Sequence, residues 1–173
     1  MKSIKNYIET SLNESLLDDD DLFLDPENDK NVIEEWIKNN YKITGKLTIS
    51  DDFVVDCVGL VEVKNENIES LTNGLFRWGK VGGSFYCSYC NNLMSLEGSP
   101  ERVGGDFNCT YCGKLKSLEG SPKEVDGDFW CGYCTELKSL EGTPEKVGGG
   151  LYCFGCKNIR ITHPDRKKYK IED

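Results

Sequence analysis

Eight of the nine cysteines fall in four pairs, Cys87/Cys90, Cys109/Cys112, Cys131/Cys134 and Cys153/Cys156, each with two residues between its members. Successive pairs are 18 residues apart, so the chain contains Cys-x2-Cys-x18-Cys-x2-Cys and then repeats it. Thiolates at that spacing can hold zinc tetrahedrally, and the four pairs could together ligate two ions. The competing chemistry is no chemistry: a buried free cysteine is a compact hydrophobe. That account explains more of the chain, because in the less regular segment upstream the strand column carries Val61 and Val63 instead. Buried thiol columns without a cofactor are therefore expected, with zinc as the alternative. A thioredoxin-like redox centre needs a cysteine at a helix N-terminus, and no helix pattern follows these pairs. Cys57 stands outside them and is assigned to the core. The only histidine, His163, sits beside Pro164 with no partner pattern. Nucleophile elbow, phosphate loop and paired-carboxylate signatures are all missing, so no catalytic residue is expected and the chain reads as a non-enzyme.

The cysteines belong to a longer period. Val81, Val103, Val125 and Val147 are spaced by 22, and nearly every other column follows them: VGGSFYCSYCNNLMSLEGSPER, VGGDFNCTYCGKLKSLEGSPKE, VDGDFWCGYCTELKSLEGTPEK, then VGGGLYCFGCKNI before divergence. Phe85, Phe107, Phe129 and Leu151 precede Cys87, Cys109, Cys131 and Cys153 by two, which puts both columns on one face of a short strand. Paired glycines ahead of each strand, such as Gly82-Gly83 and Gly104-Gly105, suit positive φ or close backbone approach. Leu93, Leu115 and Leu137, then Leu96, Leu118 and Leu140, return apolar side chains inward. The phrase ending at Pro100, Pro122 and Pro144 is too broken for a full helix. Each unit is expected to be one strand and an irregular or extended return path. Such a unit cannot bury its apolar side alone, but it can when stacked on copies of itself. The fold class is a β-rich repeat solenoid with parallel strands at about 4.8 Å, carrying a small N-terminal helical cap.

The succession Phe107, Cys109, Cys112, Leu115, Leu118 resembles the core phrase of leucine-rich repeats, particularly the short bacterial kind that ends each unit near a proline. The likeness covers about residues 55–160. One departure is that glycine (Gly82, Gly104, Gly127 or its neighbour) stands where the first leucine of the repeat is usual, which keeps a parallel β-helix open as the alternative. With the leader ending Leu16-Leu17-Asp18-Asp19, the whole also resembles repeat proteins of tailed bacteriophages. That resemblance implies a bacterial host cytosol, or the virion, as the protein's location.

Ahead of the repeats the chain divides into an amphipathic helix over 1–17, an acidic linker over 18–30, and a helix and edge-strand cap over 31–54. The repeats then occupy 55–158 and a C-terminal cap 159–173. Residues 1–40 hold 11 Asp or Glu against 4 Lys, whereas the remainder holds 19 acidic against 17 basic. The overall charge of −9 therefore belongs mostly to the N-terminal arm. It disfavours a nucleic-acid partner, which needs surplus Lys and Arg. No apolar run approaches the roughly 18 residues of a membrane span, and the first residues lack the apolar core of a secretory signal, so a reducing cytosol is expected.

Alternation along the strand leaves an outward set: Asp106 and Asp128; Tyr86, Asn108, Trp130 and Tyr152; Phe154; and Tyr89, Tyr111 and Tyr133. Tyr and Trp dominate protein-interface hot spots, and the two aspartates would favour a basic contact. The expected function is a protein-binding scaffold with these ten residues as the contact strip. Rings stacked merely to stabilise the sheet are the bland reading. A virion or head-packaged component addressed by residues 1–17, a zinc-dependent binding module and a saccharide on the aromatic strip are the other readings. Glu97, Glu119 and Glu141 would form a like-charge column.

Overall fold

The computed structural model describes residues 26–159. The amphipathic helix over 1–17, most of the acidic linker, and the chain after Ile159 with His163 lie outside the described residues.

Helix α1 spans Pro26–Asn40, so it begins inside the stretch assigned to acidic linker rather than at residue 31. Proline is pre-set for the first helical turn, where its missing N–H costs nothing, and Asp29 suits the positive end of the helix dipole. Ile33 and Ile37 are fully buried on its inner face. Trp36 packs its ring against Tyr41 and Phe76, both at 5.8 Å.

Twelve short strands follow: β1 Tyr41–Ile43, β2 Leu47–Ile49, β3 Val54–Cys57, β4 Val61–Val63, β5 Arg77–Val81, β6 Phe85–Tyr86, β7 Arg102–Val103, β8 Phe107–Asn108, β9 Glu124–Val125, β10 Phe129–Trp130, β11 Lys146–Val147 and β12 Leu151–Tyr152. They form two six-stranded sheets, ordered β1-β4-β6-β8-β10-β12 and β11-β9-β7-β5-β3-β2. From β4 and β3 onward every neighbour is parallel and displaced by one unit, which makes a β-solenoid of about four turns. At the N-terminal edge β1 and β2 run antiparallel to β4 and β3, as the alternation of Leu47, Ile49, Phe53 and Val55 anticipates.

The coil has two strands, not the single strand expected. The valine column that marks the period supplies the inward residue of the second sheet: Val81, Val103 and Val125 are buried. Two-residue strands carry no period of their own, which is why this sheet leaves so faint a trace in the sequence. The first column does what its spacing implies, with Phe85, Phe107 and Phe129 fully buried and stacked at 5.6 and 5.2 Å with nearly parallel planes. Leu93, Leu96, Leu115, Leu118 and Leu137 close the interior.

Glycine is required where coil meets coil. Gly83, Gly105, Gly127 and Gly149 form a column without exception, and their φ is not positive. A Cβ on Gly127 would stand 2.8 Å from the Gly105 carbonyl carbon and 2.3 Å from Asp106 Oδ1. Close approach, rather than turn geometry, therefore selects this column.

Candidate functional site

The ladder of backbone hydrogen bonds runs past the formal strands. In the second coil Phe107, Cys109 and Tyr111 donate N–H to the carbonyls of Asp128, Trp130 and Gly132 at 2.9, 2.8 and 3.0 Å. The same alternation holds in the neighbouring coils, so everything from the phenylalanine to the tyrosine column is in register. Three columns result: thiols inside, aspartates at the strand entry, aromatics outside.

The thiols face backbone. Cys112 Sγ lies 3.1 Å from the carbonyl oxygen of Cys87, Cys134 Sγ 3.2 Å from that of Cys109, and Cys156 Sγ 3.2 Å from that of Cys131. The second cysteine of each of these pairs thus donates to the first cysteine of the coil before it. Cys90 heads the column, and no Cys-x2-Cys pair precedes it. Its fully buried thiol turns instead to the Ser88 carbonyl of its own coil, 3.7 Å away.

Burial pushes the Cys87 thiol well up. Hydrogen bonds from neighbouring thiols, joined by burial, raise three more: Cys134 acts on Cys109, Cys90 on Cys112 and Cys153 on Cys156. Metal ligation requires thiolates, and among the described residues no group of three or more His, Cys, Asp or Glu is arranged to hold an ion. The zinc alternative names Cys87, Cys90, Cys109, Cys112, Cys131, Cys134, Cys153 and Cys156 as ligands, and the structure does not gather them into four-thiol sets. It spreads them along two stacked columns, because the 22-residue period that sets their spacing also places each pair on its own coil. Cys57 is also buried, with its Sγ 3.6 Å from the Thr44 carbonyl.

The aspartates act between coils. Ser84 Oγ accepts the N–H of Asp106 at 3.0 Å, Asp106 Oδ1 accepts that of Asp128 at 2.8 Å, and Asp128 Oδ1 accepts that of Gly150 at 2.7 Å. One oxygen of each carboxylate is committed to this inter-coil staple, a role that the strip reading does not foresee. Charge is balanced on the other sheet instead, where Arg102 reaches Glu124 and Asp126, both at 3.0 Å, and Lys123 meets Glu101 at 2.8 Å.

Outside, the aromatics gather into one surface. Tyr89, Tyr111 and Tyr133 stack face to face at 4.7 and 4.6 Å and remain exposed at 51%, 39% and 42%. Desolvation within the stack raises the Tyr111 pKa, and the phenols of Tyr133 and Tyr89 add to it. Phe154 turns its edge to both Tyr133 and Trp130, and Trp130 stacks on Tyr152 at 4.0 Å. Six of the seven sequence-predicted aromatics are thereby continuous. Tyr86 stands apart, with no ring contact among the described residues, because Asn108 occupies the coil between it and Trp130.

All three tyrosines of the column sit in the left-handed region, with φ of 62°, 61° and 59°. That conformation costs an ordinary side chain on the order of 1 kcal/mol. In the last coil Gly155 takes the same place at φ 73°, where a Cβ would stand 2.5 Å from the Tyr133 ring. Sequence reasoning places these tyrosines on the strip but misses their backbone state; the glycine at the fourth position of the column is the available signal.

Positions 85–91, 107–113 and 129–135, which carry this surface, contain no charged residue, although 29% of the chain is charged. Among the described residues no helix is long and apolar enough to cross a membrane. Comparison with known protein families, with curated proteins and with solved structures finds no match for this chain.

Proposed function

We propose that the chain is a non-enzymatic scaffold that holds a protein partner on the aromatic strand face of its solenoid. The observation that carries this reading is the column Tyr89, Tyr111 and Tyr133, kept exposed in a left-handed backbone state on three successive coils. Glycine or asparagine would occupy that state at lower cost, and strain of this kind gathers at binding surfaces. A face rich in Tyr, Trp, Asn, Ser and Thr, with Asp106 and Asp128 at its strand entry, has the composition of adaptable protein-binding surfaces. The resemblance of the repeat phrase to leucine-rich repeats and to tailed-phage repeat proteins supports a binding role in a bacterial cytosol, where nine unpaired thiols suit the reducing conditions.

The test is affinity capture from the native cell with the wild-type chain and a Tyr89→Asn, Tyr111→Asn, Tyr133→Asn triple variant. Asparagine tolerates the left-handed state, so the coil is kept while the rings are removed. A partner captured by the wild type and lost by the triple variant is expected. A capture profile identical for the two proteins refutes the reading.

A further inference from the structure

The outward column of the Phe-strand sheet reads Glu62, Tyr86, Asn108, Trp130 and Tyr152 in strict register. Trp130 stacks on Tyr152 to one side, so its other face turns toward the Asn108 level. Tyr86 stands one level beyond. Two coils of about 4.8 Å separate the Tyr86 and Trp130 levels of the strand by about 9.6 Å, with only a short amide between them. A ring entering at the Asn108 level would lie about 4.8 Å from each aromatic. Tyr89, Tyr111 and Tyr133 already stack at that separation, 4.7 and 4.6 Å. The aromatic column is thus interrupted by a slot one ring thick.

The polar groups around the slot define what enters it. Asn108 Oδ1 accepts the Thr110 backbone N–H at 2.9 Å and the Thr110 hydroxyl at 2.8 Å. An N–H can only donate, so the orientation of the amide is fixed and Nδ2 presents donors with no partner among the described residues. The Thr110 hydroxyl spends its proton on Asn108 and keeps acceptor capacity. Asp106 and Asp128, two residues earlier on the same strand face, each commit Oδ1 to the inter-coil staple and keep a second oxygen as acceptor. Donors and acceptors thus alternate around an apolar slot. A guanidinium could pair with the two carboxylates, but it would set its donors against the Asn108 amide and bring no aliphatic C–H face to the aromatics. An anionic ring would meet the two carboxylates. The rim of an aromatic side chain would leave most of these groups unpaired, which costs free energy on desolvation.

We propose that Tyr86, Asn108 and Trp130 form a binding site for one pyranose ring of a neutral saccharide, its C–H faces against the two aromatics and its hydroxyls on Asn108, Thr110, Asp106 and Asp128. Each hydroxyl both donates and accepts, as this rim requires. The site lies on the face proposed to hold a protein, but it uses the Asn108 interruption rather than the tyrosine column.

The experiment is saturation-transfer NMR on the reduced full chain, with glucose, galactose, mannose, N-acetylglucosamine and their short oligomers as probes. Transfer to the ring protons of at least one sugar is expected at millimolar concentration. Asn108→Tyr fills the slot and continues the column, so it is expected to keep or raise Tm while weakening that sugar about tenfold or more. Trp130→Leu should weaken it similarly, and Tyr111→Asn should leave it unchanged. No transfer from any probe to the wild type, or undiminished transfer to both Asn108→Tyr and Trp130→Leu, overturns the proposal. Loss confined to Tyr111→Asn overturns it too, by moving the contact to the tyrosine column. The protein-holding role is read separately, by capture with the Tyr89, Tyr111 and Tyr133 triple variant, so the two proposals fail independently.

Discussion

The Cys112 thiol donates to the carbonyl oxygen of Cys87, 3.1 Å away on the preceding coil. Two cysteines that look like members of separate metal-binding pairs are in this way a hydrogen-bonded contact between neighbouring turns. The contact recurs from Cys134 to Cys109 and from Cys156 to Cys131.

Substitution of Cys112 should separate packing from hydrogen bonding. Cys112→Ser keeps a donor of similar size and is expected to cost less than Cys112→Val. Valine leaves the buried Cys87 carbonyl without this partner, at about 1–3 kcal/mol. Urea unfolding under reducing conditions measures the difference, and equal losses would show that the thiol contributes volume alone.

Alkali should unfold the protein steeply. Burial and thiol hydrogen bonding hold Cys87, Cys109, Cys112 and Cys156 above the ordinary value of 9.0. A group whose folded pKa is raised gives its full stabilisation below the unfolded pKa and loses it as pH rises toward the folded one. Stability is therefore expected to be nearly flat from neutrality toward pH 9 and to fall above it, by about 1.4 kcal/mol per pH unit for each such thiol. Chemical denaturation followed across pH 7–11 with reductant present checks this, and a flat profile to pH 11 would contradict the buried ladder.

Gly127→Ala should be destabilising although Ala is the better residue on propensity alone. Its Cβ would lie 2.8 Å from the Gly105 carbonyl carbon and displace the Asp106 carboxylate from Oδ1 at 2.3 Å. A loss of about 1–3 kcal/mol is expected, as for an overpacked core position. Gly113→Ala is the control, because a Cβ there meets nothing closer than 3.6 Å.

Asp106→Ala removes the acceptor of the Asp128 N–H, whereas Asp106→Asn retains an oxygen at the same point. The alanine variant is expected to lose about 1–3 kcal/mol and the asparagine variant much less. Thermal unfolding of the pair checks it. If both lose the same, the negative charge rather than the staple sets the role of Asp106.

The 22-residue period makes the solenoid legible in the sequence, because Phe85, Cys87, Leu93 and Leu96 repeat at offsets that only stacking can bury. The second sheet is hidden because β7, β9 and β11 are two residues long and each shows a single inward valine. The acidic run hides the start of α1 at Pro26, because a proline marks the first turn of a helix as readily as a break before one. The spacing of Cys87, Cys90, Cys109 and Cys112 matches a zinc motif because a period of 22 leaves 18 residues between pairs, whatever the thiols do. On the strip, residue type locates Tyr89, Tyr111 and Tyr133 but cannot reveal their left-handed backbone, since tyrosine has no preference for that state. Asp106 and Asp128 are legible by charge alone, and the structure adds a main-chain partner on the neighbouring coil that is invisible to pattern.

The antiparallel pairing of β1 with β4 and of β2 with β3 has a consequence for assembly. An uncapped stack of parallel coils is a template that accepts another copy end to end, and the product is a fibre. Endless growth needs two complementary ends on every molecule. With strand direction reversed at the N-terminal edge and α1 packed beside it, that end does not match the far end of another copy. One such mismatched end is sufficient to bar linear polymerisation, whatever happens at the other.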